Sequence, residues 1–276
     1  MKQVTILGFG LIGGSLGLAV RRRTNWRVVG VNRRSVAHVA IAREAAHELI
    51  DASDPAAATQ AVAASDLTVI AMPVGAIVDQ VGDLLEVGRV VTDCGSTKRT
   101  VVSAASKHLG RPRFVAGHPM AGRQMSGIEH ALPELFVDAT WILCPAGSDP
   151  DAVATVEELI HVVGAKILRM TAEEHDRAVA MTSHVPQVLA SLLRALAERR
   201  GATATAGTGF SGLTRTAGGA ESMWRDIFAS NADNIAAALR EVSAELEALA
   251  SGLAREAPDL EATLQLLAEA RSLRDG

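Results

Sequence analysis

Residues Gln3-Val-Thr-Ile-Leu7 run directly into Gly8-Phe-Gly10-Leu11-Ile12-Gly13, an apolar stretch that closes on three glycines. Residues 11 to 22 then carry small and apolar side chains at helical spacing. That order predicts a buried strand, a tight turn and a helix. The glycine spacing divides the work: Gly8 for the turn, Gly10 for close approach of a pyrophosphate to the backbone, Gly13 for packing of helix on strand. A helix start adds unpaired N–H groups and a partial positive charge. The strand and helix on either side distinguish this from a glycine turn without a ligand. Gly8, Gly10, Leu11, Ile12 and Gly13 are therefore candidate contacts for a dinucleotide.

Further apolar runs follow at WRVVGVN (26–32), LTVIAMP (67–73), RVVTDCG (89–95), PRFVAGHP (112–119) and WILCP (141–145), with Ala-rich helical segments such as 36–49 and 99–108 between them. Strands alternating with helices predict a parallel, doubly wound sheet of the Rossmann type over about residues 1–150. A bridging βα unit extends it to about 170.

The second strand bears on which dinucleotide binds. An NAD site places Asp or Glu there to hold the ribose hydroxyls. Here the strand ends in Asn32, followed by Arg33, Arg34 and Ser35. No carboxylate repels a 2′-phosphate, and two guanidiniums with a hydroxyl suit one. The stretch favours NADP over NAD, against a reading of solvated surface arginines.

From 171 the pattern becomes helical. Thr171-Ala-Glu-Glu174 is a capping box, and the helix it opens is expected to reach Arg200 with a bend at Pro186. Residues 201–219 hold six glycines and read as a loop. Trp224, Phe228, Asn231, Ile235, Leu239, Val242, Leu246 and Leu249 recur at three and four residues, one face of a long helix from 221. Leu260, Leu264 and Leu267 continue the apolar series. A stripe of this length needs a partner surface, so residues 171–276 are expected to form an all-helical substrate and dimerisation domain behind a dinucleotide-binding domain of residues 1–170.

A dinucleotide fold does not itself name a reaction. GHPMAG (117–122) and DCGSTK (93–98) lie just past the ends of predicted strands, where doubly wound sheets bind ligands. His118 is restricted by Pro119, and an imidazole titrates near neutrality, so it suits removal of a proton from an alcohol. A buried structural histidine is the alternative. Ser96 fits two roles equally: a helix N-cap, or a hydrogen-bond partner for the imidazole or substrate oxygen. His175 reads as a local helix-start residue, and Asp176 as a partner for an arginine of its own helix or across the interface. Asn231 is placed where it needs a buried partner. His38, His47, His108, His130 and His161 read as surface or helix residues.

These segments resemble the prephenate and arogenate dehydrogenases of tyrosine biosynthesis. GFGLIGGSLG, DCGSTK, GHPMAGRQMSGIEHALPELF (117–136), EEHDRAVAMTSHVP (173–186), GFSGLTRTAGG (209–219) and MWRDIFASN (223–231) occur in family order over nearly the whole chain. The resemblance implies an NAD(P)-dependent oxidative decarboxylation of a cyclohexadienol. His118 would be the base on the ring C4 hydroxyl, Ser96 its orienting partner, and Arg215 the arginine that binds a substrate carboxylate. His184 and Gln187 would line the site. Many prephenate enzymes carry SHxPH, whereas this chain has Gln187 at the last position. Some arogenate-using, NADP-linked members also lack that histidine, so the resemblance leans toward arogenate, with prephenate possible or shared.

Two other classes compete. A β-hydroxyacid dehydrogenase needs a helix lysine, and no lysine follows Lys166. A non-catalytic NADP sensor would keep the glycine loop without needing His118, Ser96 and Arg215 together. Net charge is −4 and composition ordinary (48% hydrophobic, 21% charged), so nothing points to nucleic acid or membrane. Cys94 and Cys144 make no disulfide framework and no metal-ligand spacing. With no charged leader before the first strand, the reading is a cytoplasmic protein with no metal site.

Overall fold

The computed structural model describes residues 1–33, 40–123, 125–219 and 221–275. Strands β1 (Gln3–Leu7), β2 (Arg27–Asn32), β3 (Glu48–Asp51), β4 (Leu67–Ile70), β5 (Val91–Asp93), β6 (Phe114–Pro119), β7 (Thr140–Cys144) and β8 (Lys166–Arg169) form one sheet ordered β3-β2-β1-β4-β5-β6-β7-β8. The order reverses between β1 and β4, which opens a crevice at their carboxyl ends. Helices α1 (Leu11–Arg23), α2 (Ala40–Ala45), α3 (Pro55–Ala63), α4 (Val74–Val87), α5 (Arg99–Ala105) and α6 (Pro150–Val163) cover both faces.

The strands read as near-continuous apolar runs because both faces are covered. Val4, Ile6, Leu16, Val20, Leu159 and Val163 pack on one side; Leu7, Ile70, Val81, Leu85 and Phe114 pack on the other. Local chemistry starts the helices. Asp54 and Asp149 each accept a hydrogen bond from a first-turn N–H, with Pro55 and Pro150 beside them.

Two expectations for this half change. The segment 36–49 is not one helix: α2 ends at Ala45, and Glu48–Asp51 joins β2 as an edge strand. Its ladder with β2 outweighs local helix propensity; residues 36–39 lie outside the described residues. The sheet is not wholly parallel, because β7 runs antiparallel to β6. Residues 120–139 supply no crossover helix, only a 3-10 turn at Ile128–His130 among the described residues. Without a crossover the chain returns alongside itself.

The remainder is helical: α7 (Ala172–Val179), a π-helical turn (Ala180–His184), α8 (Val185–Arg199), α9 (Thr208–Thr214), α10 (Glu221–Ser230), α11 (Ala232–Leu253) and α12 (Glu261–Asp275). The Thr171/Glu174 capping box is formed. The bend expected at Pro186 is absorbed one turn earlier, where Val185 N–H reaches back to Ala180 O. Pro186 then falls in the first turn of α8, where no donor is required. The expected 201–219 loop holds α9 and a 3-10 turn at Arg215–Gly218, both packed on α8. Packing has overridden the glycines' poor propensity. The long helix from 221 breaks at Asn231, whose φ of −134° separates α10 from α11. Among the described residues no helix is long and apolar enough to cross a membrane.

Candidate active site

Gly8 has φ +89°, and a Cβ there would lie 2.4 Å from Ala71 O. One at Gly13 would lie 2.1 Å from Gly8 O. Neither position admits a side chain, so turn and helix packing both require glycine. Gly10 has nothing within 4 Å of where a Cβ would stand, and this side is open beside the start of α1. That helix has no side-chain cap and no acidic residue in its first turn. Free N–H groups, an open cradle and no competing carboxylate fit a pyrophosphate. Leu11 and Ile12 form the first turn of α1 and are part-buried. Asn32 ends β2 and accepts a hydrogen bond from Arg33 N–H through its own Oδ1 at 2.7 Å; Arg33 is exposed. Arg34 and Ser35 lie outside the described residues.

At the carboxyl end of β5, Asp93 and Lys98 are fully buried and form an ion pair. Strands β5 and β6 pair only at Val91–Phe114 and Thr92–Val115. Beyond the ladder the pair takes its place: Gly117 N–H donates to Asp93 Oδ1 at 3.1 Å, and Lys98 Nζ donates to Gly117 O at 2.7 Å. Gly95 N–H also donates to Asp93, at 2.8 Å. The backbone that carries His118 is thus clamped to the backbone that carries Ser96.

His118 Nδ1 lies 2.8 Å from His175 Nε2, and His175 Nδ1 lies 2.8 Å from Asp176 Oδ1. Proton positions in this chain follow from its far end. Asp176 Oδ1 also accepts from Lys98 N–H at 2.7 Å, and Oδ2 from Arg99 N–H at 3.0 Å. Backbone amides only donate, so Asp176 is an ionised acceptor. His175 must then donate from Nδ1 and accept at Nε2. His118 donates from Nδ1, and its Nε2 lone pair has no hydrogen-bond partner among the described residues. Burial alone would raise the Asp176 carboxyl; hydrogen bonds from His175, Arg99 and Lys98 outweigh it and bring it below 3.8.

Burial, then the neighbouring His175, Lys98 and His184, push the His118 imidazole well below its ordinary 6.5. At neutral pH it is therefore an uncharged acceptor. Burial also pushes the fully enclosed His184 down to about 4. The unfolded chain takes up that proton near pH 6.5 and the folded chain only near 4, so stability falls as pH drops through this window. Thermal unfolding measured at pH 7 and pH 5 is expected to give the lower midpoint at pH 5.

Ser96 is part-buried and stands two residues before Lys98, the N-cap of α5, so it is not that helix's cap. Among the described residues it makes no hydrogen bond to His118. His184 ends the π-turn; its Nδ1 faces Asn231 Nδ2 at 3.3 Å, and its ring stands edge-on to Trp224 at 6.0 Å. Gln187 is buried with its amide 3.4 Å from Ser191 Oγ. Arg215 lines a cavity of about 530 Å³ in the helical half with Arg194, Glu198 and Phe210; His118, Ser96 and Gln187 are not in its lining. The structure thus gathers His118 and His184 through His175, Asp176 and Asn231, while Arg215 lines the cavity of the helical half.

Sequence reading undervalued His175 and left Asp176 with two candidate partners; the partner is Arg99, across the interface. It missed Lys98. A signal existed: Ala172, His175, Asp176 and Val179 form the buried face of α7, so two polar residues occupy apolar-face positions. Asn231, which needed a partner, is fully buried and donates to Asp176 O at 2.7 Å.

A phosphate cradle on one side of a crevice and an uncharged, oriented imidazole at a neighbouring strand end define a nicotinamide-dependent dehydrogenase. Comparison with known proteins makes this specific. The family described as "Prephenate dehydrogenase, nucleotide-binding domain" matches residues 16–169, and "Prephenate dehydrogenase, dimerization domain" matches residues 171–268. The chain is 32% identical to the prephenate dehydrogenase of Bacillus subtilis (strain 168), over all of this chain and 76% of that protein. The prephenate dehydrogenase of Aquifex aeolicus, solved with hydroxyphenyl propionate and NAD+, is 28% identical with a TM-score of 0.87, covering 99% of this chain and 97% of that one. Synechocystis arogenate dehydrogenase is 27% identical with a TM-score of 0.81, covering 99% of both. The chain belongs to the prephenate dehydrogenase family and is an NAD(P)-dependent dehydrogenase.

Proposed function

We propose that this protein catalyses the oxidative decarboxylation of L-arogenate and/or prephenate, with arogenate and NADP preferred, giving tyrosine or 4-hydroxyphenylpyruvate. The observation that carries the mechanism is the His118 ring, held at Nδ1 by His175 and Asp176 so that Nε2 is the accepting nitrogen. His118 takes the proton of the ring C4 hydroxyl, and returns it to the phenolate after the ring carboxylate has left as CO2. The nicotinamide, when bound, supplies the hydride acceptor. Aromatisation drives the reaction, so the chain must mainly orient and deprotonate. Ser96, on the backbone clamped to that of His118 and with no hydrogen bond from its hydroxyl among the described residues, is suited to hold the same C4 oxygen.

Arg215 is proposed to bind a substrate carboxylate, which its planar guanidinium suits. His184 and Gln187 are proposed to line the site. Gln187 both donates and accepts, so it can serve an ammonium-bearing side chain. Asn32 and Arg33, with no acid on β2 between them and the glycine loop, support NADP. Exposed Leu246 and Leu253 on α11, with Leu260, Leu264 and Leu267 beyond, support a homodimer formed through the helical half. The boundary between the two functional halves is proposed at residues 170–171.

A steady-state comparison of two substrates with two nicotinamides, followed at the nicotinamide absorbance, tests the reading. The highest kcat/KM is expected for arogenate with NADP, and no turnover with any pairing removes the proposal in favour of a cofactor sensor. Asn32→Asp is expected to move preference toward NAD by about ten-fold or more, since a carboxylate would hold the ribose hydroxyls and repel a 2′-phosphate. An unchanged ratio removes the cofactor argument.

A further inference from the structure

The first turn of α5 follows DCGSTK and has no capping side chain of its own. Its leading N–H groups, on Lys98 and Arg99, instead donate to Asp176 of α7, from the other half of the chain. A carboxylate across the interface thus occupies the positive end of the helix dipole. Arg99 reinforces this contact with its side chain. Nε donates to Asp176 Oδ2 at 3.3 Å, and Nη2 to Asn231 Oδ1 at 3.2 Å. Asn231 closes the ring by donating to Asp176 O at 2.7 Å. The two terminal nitrogens also grip Asp233, whose carboxyl falls to about 2 through those hydrogen bonds. One guanidinium therefore spans the junction of α10 and α11, the middle of α7 and the start of α5. Its planar fork serves several acceptors in fixed geometry, which an ammonium does not.

We propose that Arg99 is a positioning residue: from the nucleotide-binding half it holds Asp176 and Asn231 of the helical half, and through Asp176 and His175 it keeps His118 Nε2 turned to the substrate. This rests on His118 being the base. Among the described residues Asp176 Oδ2 accepts only from Arg99, so loss of the side chain leaves half the carboxylate on one backbone amide. Asp176 then has freedom to turn, and His175 with it. A displaced base costs turnover out of proportion to binding.

The charge balance changes in a defined direction. Groups facing His118 are His175 on α7, His184 at the end of the π-turn, and Lys98 ahead of α5, with Asp93 and Asp176 behind them. Removing one cation from the Asp176 side makes protonation of the His118–His175 pair easier, so the acid limb of activity moves to higher pH.

The test compares Arg99→Ala, Arg99→Lys and Asp233→Asn with the native enzyme. All three lose the exposed ion pair in whole or part, but Asp233→Asn keeps Arg99 on Asp176. Arg99→Ala is expected to lower kcat roughly 10- to 100-fold with dinucleotide affinity unchanged, and to shift the acid limb of the pH profile upward. Arg99→Lys should fall between, and Asp233→Asn should retain native kcat and pH profile. Equal loss in Arg99→Ala and Asp233→Asn, with no pH shift, makes the contact merely structural and overturns the proposal. Native kcat and pH profile in Arg99→Ala overturn it too, leaving the base assignment intact. Native turnover in His118→Asn overturns both. Dinucleotide binding, followed by fluorescence, shows that each variant is folded.

Discussion

His118→Asn loses about three orders of magnitude in kcat, within the range of general acid–base contributions, while dinucleotide affinity stays native. An amide has the reach to keep the hydrogen bond to His175 but has no basic nitrogen with which to accept a substrate proton. The glycine loop and the start of α1 contribute no contact to this imidazole among the described hydrogen bonds, so binding of the cofactor is expected to survive. Single-turnover absorbance at the nicotinamide band, with cofactor binding measured separately, checks both halves. A variant that turns over at the native rate removes His118 as the base.

Lys98→Met destabilises the protein by about 3–5 kcal/mol, the cost of leaving one member of a buried ion pair unpaired. Asp93 and Lys98 have no exposed side-chain surface, and among the described residues Asp93 keeps only Gly95 and Gly117 N–H donors once the ammonium is gone. For a chain of this size that corresponds to a fall in Tm of roughly 10 °C. The lost bond to Gly117 O also frees the backbone beside His118, so turnover falls along with stability. Asp93→Asn combined with Lys98→Met removes the lone charge and is expected to recover most of the Tm but not the full turnover. Calorimetry that finds Lys98→Met as stable as the native chain shows that the pair is not what clamps β6 to β5.

The two predictions draw on residues that were unequally legible. GFGLIG announced a strand, a turn and a helix because glycine spacing is a local property: a positive φ at Gly8 and the backbone approach at Gly13 exclude every side chain whatever lies further along the chain. The capping box at Thr171 was readable for the same reason, since both partners fall within four residues. His118 was placed at a strand end by the apolar run before it. The edge strand β3 was not readable, because Glu48–Asp51 is a strand only through the ladder offered by β2. Nor was the break at Asn231. The apolar stripe continues through it, and the helix stops there because the side chain is engaged by Asp176, His184 and Arg99.

Sequence by itself determined the kind of chain this is: a dinucleotide-binding sheet, a helical second half, and a histidine at a strand end in the register of the prephenate dehydrogenase family. Only the tertiary structure decided what orients that imidazole. Its proton is directed by His175 and Asp176, 57 and 58 positions away, and Asp176 is held by Arg99, 77 positions back. Local pattern records which backbone conformations a segment can adopt. It carries no record of which distant donors will meet one carboxylate, because hydrogen-bond partners are chosen by the folding of the two halves onto each other.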